Sequence, residues 1–215
     1  MKQNYSNLDH GSVVVSKRQT NGRGRRTNSW VSEVGNLYFS IVLKNNISRI
    51  NTFKYIVESS VSIIRLLKSY NIHSVIKYPN DCLVDSKKIS GILIENSGPN
   101  KLDYLIIGIG INVNQLDFGE LNIKATSMKS ILGEKILESD VLDEFLRIFN
   151  AILNTDYTDI FNEYIDNSIV INKEINYQNM KYVIKSIEQD GTIIISNKTS
   201  EHRVAYSEIS LKEFY

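Results

Sequence analysis

Gln19-Thr20-Asn21-Gly22-Arg23-Gly24-Arg25-Arg26 stands between a β-branched run, Val13-Val14-Val15, and an alternating run over residues 36–43. Three arginines interleave with two glycines, and Trp30 follows. Glycine lets a backbone approach a ligand closely. Arginine offers a planar fork of donors to carboxylate or phosphate oxygens. A solvated turn accounts for the charge but not for the alternation or the tryptophan. Taken alone, the stretch reads as either an anion-binding loop or a surface turn, in both cases joining two strands.

Two further segments bear on that choice. One is Lys77-Tyr78-Pro79-Asn80-Asp81, followed by Lys87-Lys88-Ile89-Ser90-Gly91-Ile92-Leu93-Ile94-Glu95. The other is Ile106-Ile107-Gly108-Ile109-Gly110-Ile111-Asn112-Val113-Asn114. In this order and spacing the three closely resemble the biotin protein ligases, whose pattern is approximately GRGRRG-x-x-W, K-W-P-N-D, K-x-x-G-I-L-x-E and G-I-G-I-N. The resemblance runs from about Gly11 to the end of the chain. Gly108 and Gly110 do not make a dinucleotide-binding loop, because that pattern needs a third glycine opening a helix.

The bulk numbers allow one sizeable core and a small appendage: 215 residues, 42% hydrophobic and 23% charged. A net charge of +1 exerts no global pull on nucleic acid or membranes, so basic function is local to Arg23–Arg26. The single cysteine, Cys82, excludes an intramolecular disulfide, and the scattered His10, His73 and His202 argue against a histidine metal site. No apolar run reaches the ~18 residues of a spanning helix, and no secretory signal pattern opens the chain. The expected location is cytoplasmic, with no membrane and no nucleic-acid partner, since the basic cluster is short and lacks interleaved aromatics.

The patterning predicts strands over residues 11–17 and 36–43, a helix between 50 and 70, and strands over 74–77, 89–95 and 102–113. A second helix follows, capped by Ser139, with Leu142, Phe145, Leu146, Phe149, Ile152 and Leu153 on its apolar face. A short helix over 159–164 closes a domain of residues 1–167. Residues 168–215 read as short strands, 169–175, 180–187, 192–196 and 202–206, with a tight turn at Asp190-Gly191. So small a unit is expected to pack on the main domain. The fold class is α+β. The resemblance implies a catalytic domain like that of class II aminoacyl-tRNA synthetases, then an SH3-like barrel ending in Ser207-Glu208-Ile209-Ser210-Leu211.

The resemblance further implies ATP-dependent ligation of biotin to a lysine of a biotin carboxyl carrier domain of an acyl-CoA carboxylase, through biotinyl-5′-AMP. Biotin and ATP are the substrates, with Mg²⁺ on the ATP near Asn112 and no metal held by the protein itself. Such a site must supply positive charge where two anions meet and keep water from the anhydride. The implied catalytic residues are Lys88, Arg25 and Asp81. Gln19, Gly22, Arg23, Arg25, Lys88, Gly91 and Leu93 would bind biotin. Arg23, Arg26, Trp30, Asn80, Lys88 and Asn112 would bind ATP or the adenylate. The residues alone leave Trp30 open as a buried anchor, Ile89 as core and Asp81 as a turn cap. The oligomeric state is open between monomer and homodimer.

Departures from the family pattern are local. Thr27-Asn28 replaces the usual Gly-Arg, and Gly35-Asn36 is one residue short of the common G-x-N-L-Y. A strand bearing Ser-Thr-Asn, whose Ser and Thr contact biotin in the family, is expected ahead of Gly11. Residues 1–10 lack it, and residues 1–7 look like the tail of the helix that follows it. The expectation is either a reading frame beginning further upstream or a chain that binds biotin weakly and exposes a sheet edge. The repressor-type helix-turn-helix is likewise not expected. Two alternatives accompany the leading reading: a lipoate–protein ligase of the same fold, and a non-catalytic, ligase-like interaction protein.

Overall fold

Strand alternation gives the central sheet two chemically different faces. In the computed structural model, which describes residues 7–25, 28–44, 52–96, 104–121, 123–205 and 208, six strands pair antiparallel in the order β1-β2-β6-β5-β4-β3. They are β1 (Val13–Ser16), β2 (Leu37–Lys44), β3 (Val75–Lys77), β4 (Asp81–Val84), β5 (Lys87–Asn96) and β6 (Tyr104–Ile111). Successive side chains point to opposite faces. One face of β2 and β6 therefore carries Leu37, Phe39, Ile41, Leu43, Leu105, Ile107, Ile109 and Ile111, all in the hydrophobic core. The other carries Tyr38 and Ser40, opposite Gly110 and Gly108. On β5, Gly91, Leu93 and Glu95 pair with Gly110, Gly108 and Ile106 and so share that second face.

Helices cover the apolar face. α1 (Thr52–Ser69) is buried nearly all round, because it packs on β3, β4 and β5 and also against α3 (Glu138–Leu153) and α4 (Tyr157–Asp166); the intervening α2 (Met128–Leu132) is a single turn capped by Ser127. Each fully buried Leu, Ile or Phe contributes roughly 1.5–3 kcal/mol, which outweighs the moderate helix propensity of so many β-branched residues. α1 ends in a Schellman motif: Asn71 takes a left-handed φ of 57°, and the amides of Asn71 and Ile72 donate to the carbonyls of Lys68 and Leu67. Asp156 caps α4 by accepting from the amide of Thr158 at 2.8 Å.

A second sheet, β7 (Glu174–Tyr177), β8 (Met180–Ile187), β9 (Ile193–Ser196) and β10 (Glu201–Val204), runs antiparallel in the order β10-β9-β8-β7. Its buried Ile175, Tyr182, Ile184, Ile193, Ile195 and Val204 belong to the same continuous core as the main sheet. The turn between β8 and β9 carries that contact: the Tyr78 hydroxyl donates to the Gly191 carbonyl. A Cβ on Gly191, whose φ is +86°, would lie 2.5 Å from the Phe53 ring.

Several expectations need correction. Among the described residues the second sheet is open, with β7 and β10 at its edges, and is not the closed SH3-like barrel. Of the expected barrel ending only Glu208 falls within the described residues. Residues 169–173 do not join a strand, because Asn167 and Ile169 spend their backbone groups on Ile76 and Asn172 turns the chain at φ 63°. Ser139 does not cap α3. The cap position is Leu137, without a side-chain bond, and the Ser139 hydroxyl bonds Asp140 instead. β4 escapes the pattern because it is only four residues long and follows a Pro-Asn turn.

Candidate active site

The decisive local event is a β-bulge. β4 and β5 pair Asp81 with Gly91 and Cys82 with Ser90, but then Leu83 with Lys88, leaving Ile89 as the extra residue. In a regular strand residues 88 and 91 would point to opposite faces. The bulge re-aims one side chain and brings Lys88 to the face that Gly91 and Asp81 share. The Lys88 ammonium lies 2.7 Å from the Asp81 carboxylate, and the two side chains are 24% and 14% exposed.

The backbone of Lys88 is braced from three sides. Its amide donates to Lys124, its carbonyl accepts from the amide of Thr126, and the buried amide group of Asn112 donates to the carbonyls of Lys88 (3.3 Å) and Thr126 (3.0 Å). Asn80 is held in the same way, its side chain donating to the Ile92 carbonyl at 2.5 Å.

The arginine stretch folds as a small hairpin over this face. Arg23 bridges Ser29, the amide of Trp30 donates to Gly22, and that of Gly24 donates to Asn28. Gly22 is obligatory, since a Cβ there would sit 2.3 Å from the Trp30 carbonyl oxygen. Gln19 is fixed by Ser32, whose hydroxyl donates to its Oε1 at 2.7 Å. The Trp30 indole descends onto the sheet where Gly91 and Gly110 are cross-strand partners. A Cβ on either would come within 2.8 Å of the ring. Lys88 Nζ lies 4.7 Å from the ring centroid, a cation–π distance. Trp30 Nε1 is buried against the sheet with no hydrogen-bond partner among the described residues.

The cleft between hairpin and sheet measures about 340 Å³. Its lining holds four cations (Arg23, Arg25, Lys77, Lys88) against two carboxylates (Asp81, Glu95). Each carboxylate is already matched, Asp81 by Lys88 and Glu95 by Arg23 at 3.1 Å. The surplus is positive and partly withdrawn from water, where a charge-assisted contact to an anion is strongest. Cys82 is no nucleophile: it is fully buried, and burial pushes its thiol up.

The structure brings together most of the sequence-predicted residues: Gln19, Arg23, Arg25, Trp30, Asn80, Asp81, Lys88, Gly91 and Leu93 all line the cavity. Gly22 is part of the hairpin itself, against the Trp30 carbonyl and outside the lining, and Arg26 lies outside the described residues. Asn112 differs. It is not part of the lining, because its amide is spent on the Lys88 and Thr126 carbonyls, and it braces Lys88 from behind. Sequence reasoning missed Lys77, Ser32 and Glu95. The first and last stand inside the quoted motifs, so the signal was present for them; Ser32 had none.

A sheet floored by glycines, roofed by an arginine hairpin and carrying a lysine–aspartate pair makes a cation-rich site on an α+β fold. The model of the biotin/lipoate A/B protein ligase family matches residues 1–112, and the chain belongs to that family. It is 37% identical over 150 residues to the bifunctional ligase/repressor BirA of Bacillus subtilis, an alignment covering 67% of this chain and 46% of that one. It is 30% identical over 138 residues to the biotin–[acetyl-CoA-carboxylase] ligase of Paracoccus denitrificans, covering 59% and 55%. The chain thus spans about half the length of these curated relatives. Its fold matches the biotin protein ligase of Aquifex aeolicus, solved in complex with biotin and ATP, with a TM-score of 0.82 and 27% identity over 94% of this chain and 89% of that one. Among the described residues no helix is long and apolar enough to cross a membrane.

Proposed function

We propose that the cavity activates biotin with ATP and passes it to a lysine of a biotin carboxyl carrier domain. In the first half-reaction a biotin carboxylate oxygen attacks the α-phosphorus of ATP. The bond to the β-phosphate bridging oxygen breaks, and pyrophosphate leaves. Both reactants are anions, and Lys88 stands where they would meet, with Arg25 on the hairpin above. Its contact with Asp81 gives way to contacts with the incoming carboxylate and phosphate. Such preorganised charge acts on the developing transition state without reorganisation.

In the second half-reaction the carrier lysine attacks the adenylate carbonyl and AMP leaves. Asp81, relieved of Lys88, accepts the proton that the attacking ammonium must lose. Trp30 and the closed hairpin keep water from the anhydride. Gln19, Gly22, Gly91 and Leu93 would line the biotin end; Arg23, Arg26, Trp30 and Asn80 would face the nucleotide. Mg²⁺ enters bound to ATP. The Asn112 Nδ2 is committed to backbone carbonyls and does not reach for a phosphate.

The reading includes a class II synthetase-like catalytic unit of residues 1–167, a C-terminal unit of residues 168–215 and a cytoplasmic place of action. The observation that carries it is the bulge-aimed Lys88–Asp81 pair on a glycine floor, in a chain of this family. The test is incubation with biotin and α-labelled ATP, then with an acyl-CoA carboxylase carrier domain. Labelled biotinyl-AMP and a biotinylated carrier lysine are expected. Adenylation of lipoate but not biotin would transfer the chain to the lipoate branch, and adenylation of neither would refute catalysis.

A further inference from the structure

The turn that carries Asn80 and Asp81 is gripped from two sides. On the side of β5, the Asn80 carbonyl accepts from the Ile92 amide at 3.0 Å, and the Asn80 side chain donates to the Ile92 carbonyl. On the other side stand two buried tyrosine hydroxyls that the proposed reaction leaves unused. Tyr164 of α4 donates to the Pro79 carbonyl at 2.8 Å, across 85 positions of the chain. Proline has no amide, so this carbonyl is the one backbone hydrogen-bonding group that Pro79 offers. Tyr78 donates to the Gly191 carbonyl, across 113 positions. The Phe53 ring lies 6.0 Å from Tyr78 and 5.9 Å from Tyr164, and it closes on Gly191. Tyr78 and Pro79 themselves line the cleft. The family pattern carries tryptophan at this place, and tyrosine supplies a hydroxyl there instead. Asp81 needs support from its backbone at one moment of the reaction. In the free protein Lys88 holds its carboxylate at 2.7 Å. Once Lys88 turns to the substrates, more of the aim of Asp81 falls to the turn beneath it.

We propose that Tyr78 and Tyr164 are positioning residues: clamped to Gly191 and Pro79, they hold the turn so that Asp81 keeps its aim at the carrier lysine after Lys88 has left it. The part played by Asp81 rests on the proposed biotin reading; the clamp on the turn does not. Adenylate formation, which draws on Lys88 and the arginines, is then little affected by the clamp. Transfer to the carrier, in which Asp81 accepts the proton, depends on it.

The test uses the full chain with Tyr78→Phe and Tyr164→Phe, each of which keeps the ring and deletes one hydroxyl. Tyr182→Phe is the control, because it deletes a hydroxyl bonded to Ser200 and His202 in the second sheet. Amide hydrogen exchange over residues 80–84 without ligand reports the clamp. In the two test variants it should quicken about three- to tenfold, the range set by one buried hydrogen bond, and in the control it should not. Single-turnover transfer from preformed biotinyl-AMP to a carrier domain should slow by the same factor in the test variants. The carrier concentration at half-saturation and biotin-dependent pyrophosphate release should stay within about twofold of wild type. Unchanged exchange in both test variants would overturn the clamp. Faster exchange with unchanged transfer, or equal slowing of both half-reactions, would overturn the positioning of Asp81. So would an equal slowing of transfer in Tyr182→Phe. A wild-type chain that makes no adenylate refutes the biotin reading, and the exchange result then decides the clamp by itself.

Discussion

Gly91 and Gly110 face each other across β5 and β6, and the indole of Trp30 rests on both. The glycines are needed because a Cβ at 110 would lie 2.8 Å from Cε2 and Cζ2 of the ring. Gly110→Ala should lift the ring off the sheet and open the roof of the cavity. Trp30 is the only tryptophan, so its emission reports the event directly. A red-shifted spectrum and at least a tenfold fall in biotin-dependent pyrophosphate release are expected. Gly24→Ala is the control, since its Cβ would meet Asn28 Cβ at 3.3 Å and a small hairpin adjustment accommodates it. An unshifted spectrum in Gly110→Ala would contradict the contact.

Asn112 distinguishes a brace from a ligand arm. Asn112→Asp would set a buried carboxylate against the Lys88 and Thr126 carbonyls and remove both donors. Buried polar groups left unsatisfied cost about 1–3 kcal/mol each. A drop of that order in urea-unfolding stability is expected, together with lost activity. Full stability with weakened ATP binding alone would restore Asn112 to the nucleotide site.

Glu58 makes stability depend on pH. It lies in α1, 2% exposed, with Lys54 at 3.6 Å from Oε1 and no hydrogen-bond partner for Oε2 among the described residues. Burial pushes its carboxyl up to about 7 from the usual 4.5, with Lys54 opposing. The folded chain therefore keeps a proton that the unfolded chain releases. Stability is full below pH 4.5 and falls as pH rises to about 7, by roughly 3 kcal/mol at 1.36 kcal/mol per pH unit. Glu58→Gln should remove this decline and be the more stable form at pH 8. Urea titrations of both proteins from pH 5 to pH 8 measure the difference, and parallel profiles would refute it.

Much of this site was legible in the sequence. Alternating Gly and Arg ahead of a tryptophan mark the loop that folds as the hairpin, and the family pattern marks Lys88 and Gly91. The apolar spacing from Phe53 to Leu67 marked α1. What stayed hidden depends on register. Nothing in Lys87-Lys88-Ile89-Ser90 announces that Ile89 is looped out, yet that bulge puts Lys88 beside Asp81. Asn112 follows G-I-G-I as a ligand residue would, and only the three-dimensional path of residues 124–126 shows what occupies its amide. Arg23 and Glu95 are far apart in sequence, and their ion pair becomes visible only when the hairpin is folded onto β5. The space over Gly91, which the family pattern gives to biotin, holds the indole of Trp30.

The central claim is that Lys88 supplies the positive charge where the two anions react. Biotin-dependent release of pyrophosphate from ATP, compared between the wild-type chain and Lys88→Ala, tests it most directly. Loss of one preorganised charge contact to the transition state costs about 2.7–4 kcal/mol, a factor of roughly 10²–10³. The Ala variant should therefore release pyrophosphate at least about a hundredfold more slowly while keeping the wild-type unfolding free energy to within about 1 kcal/mol. Release within a few-fold of wild type would show that the charge at the reacting atoms comes from elsewhere and that the Lys88–Asp81 pair is structural.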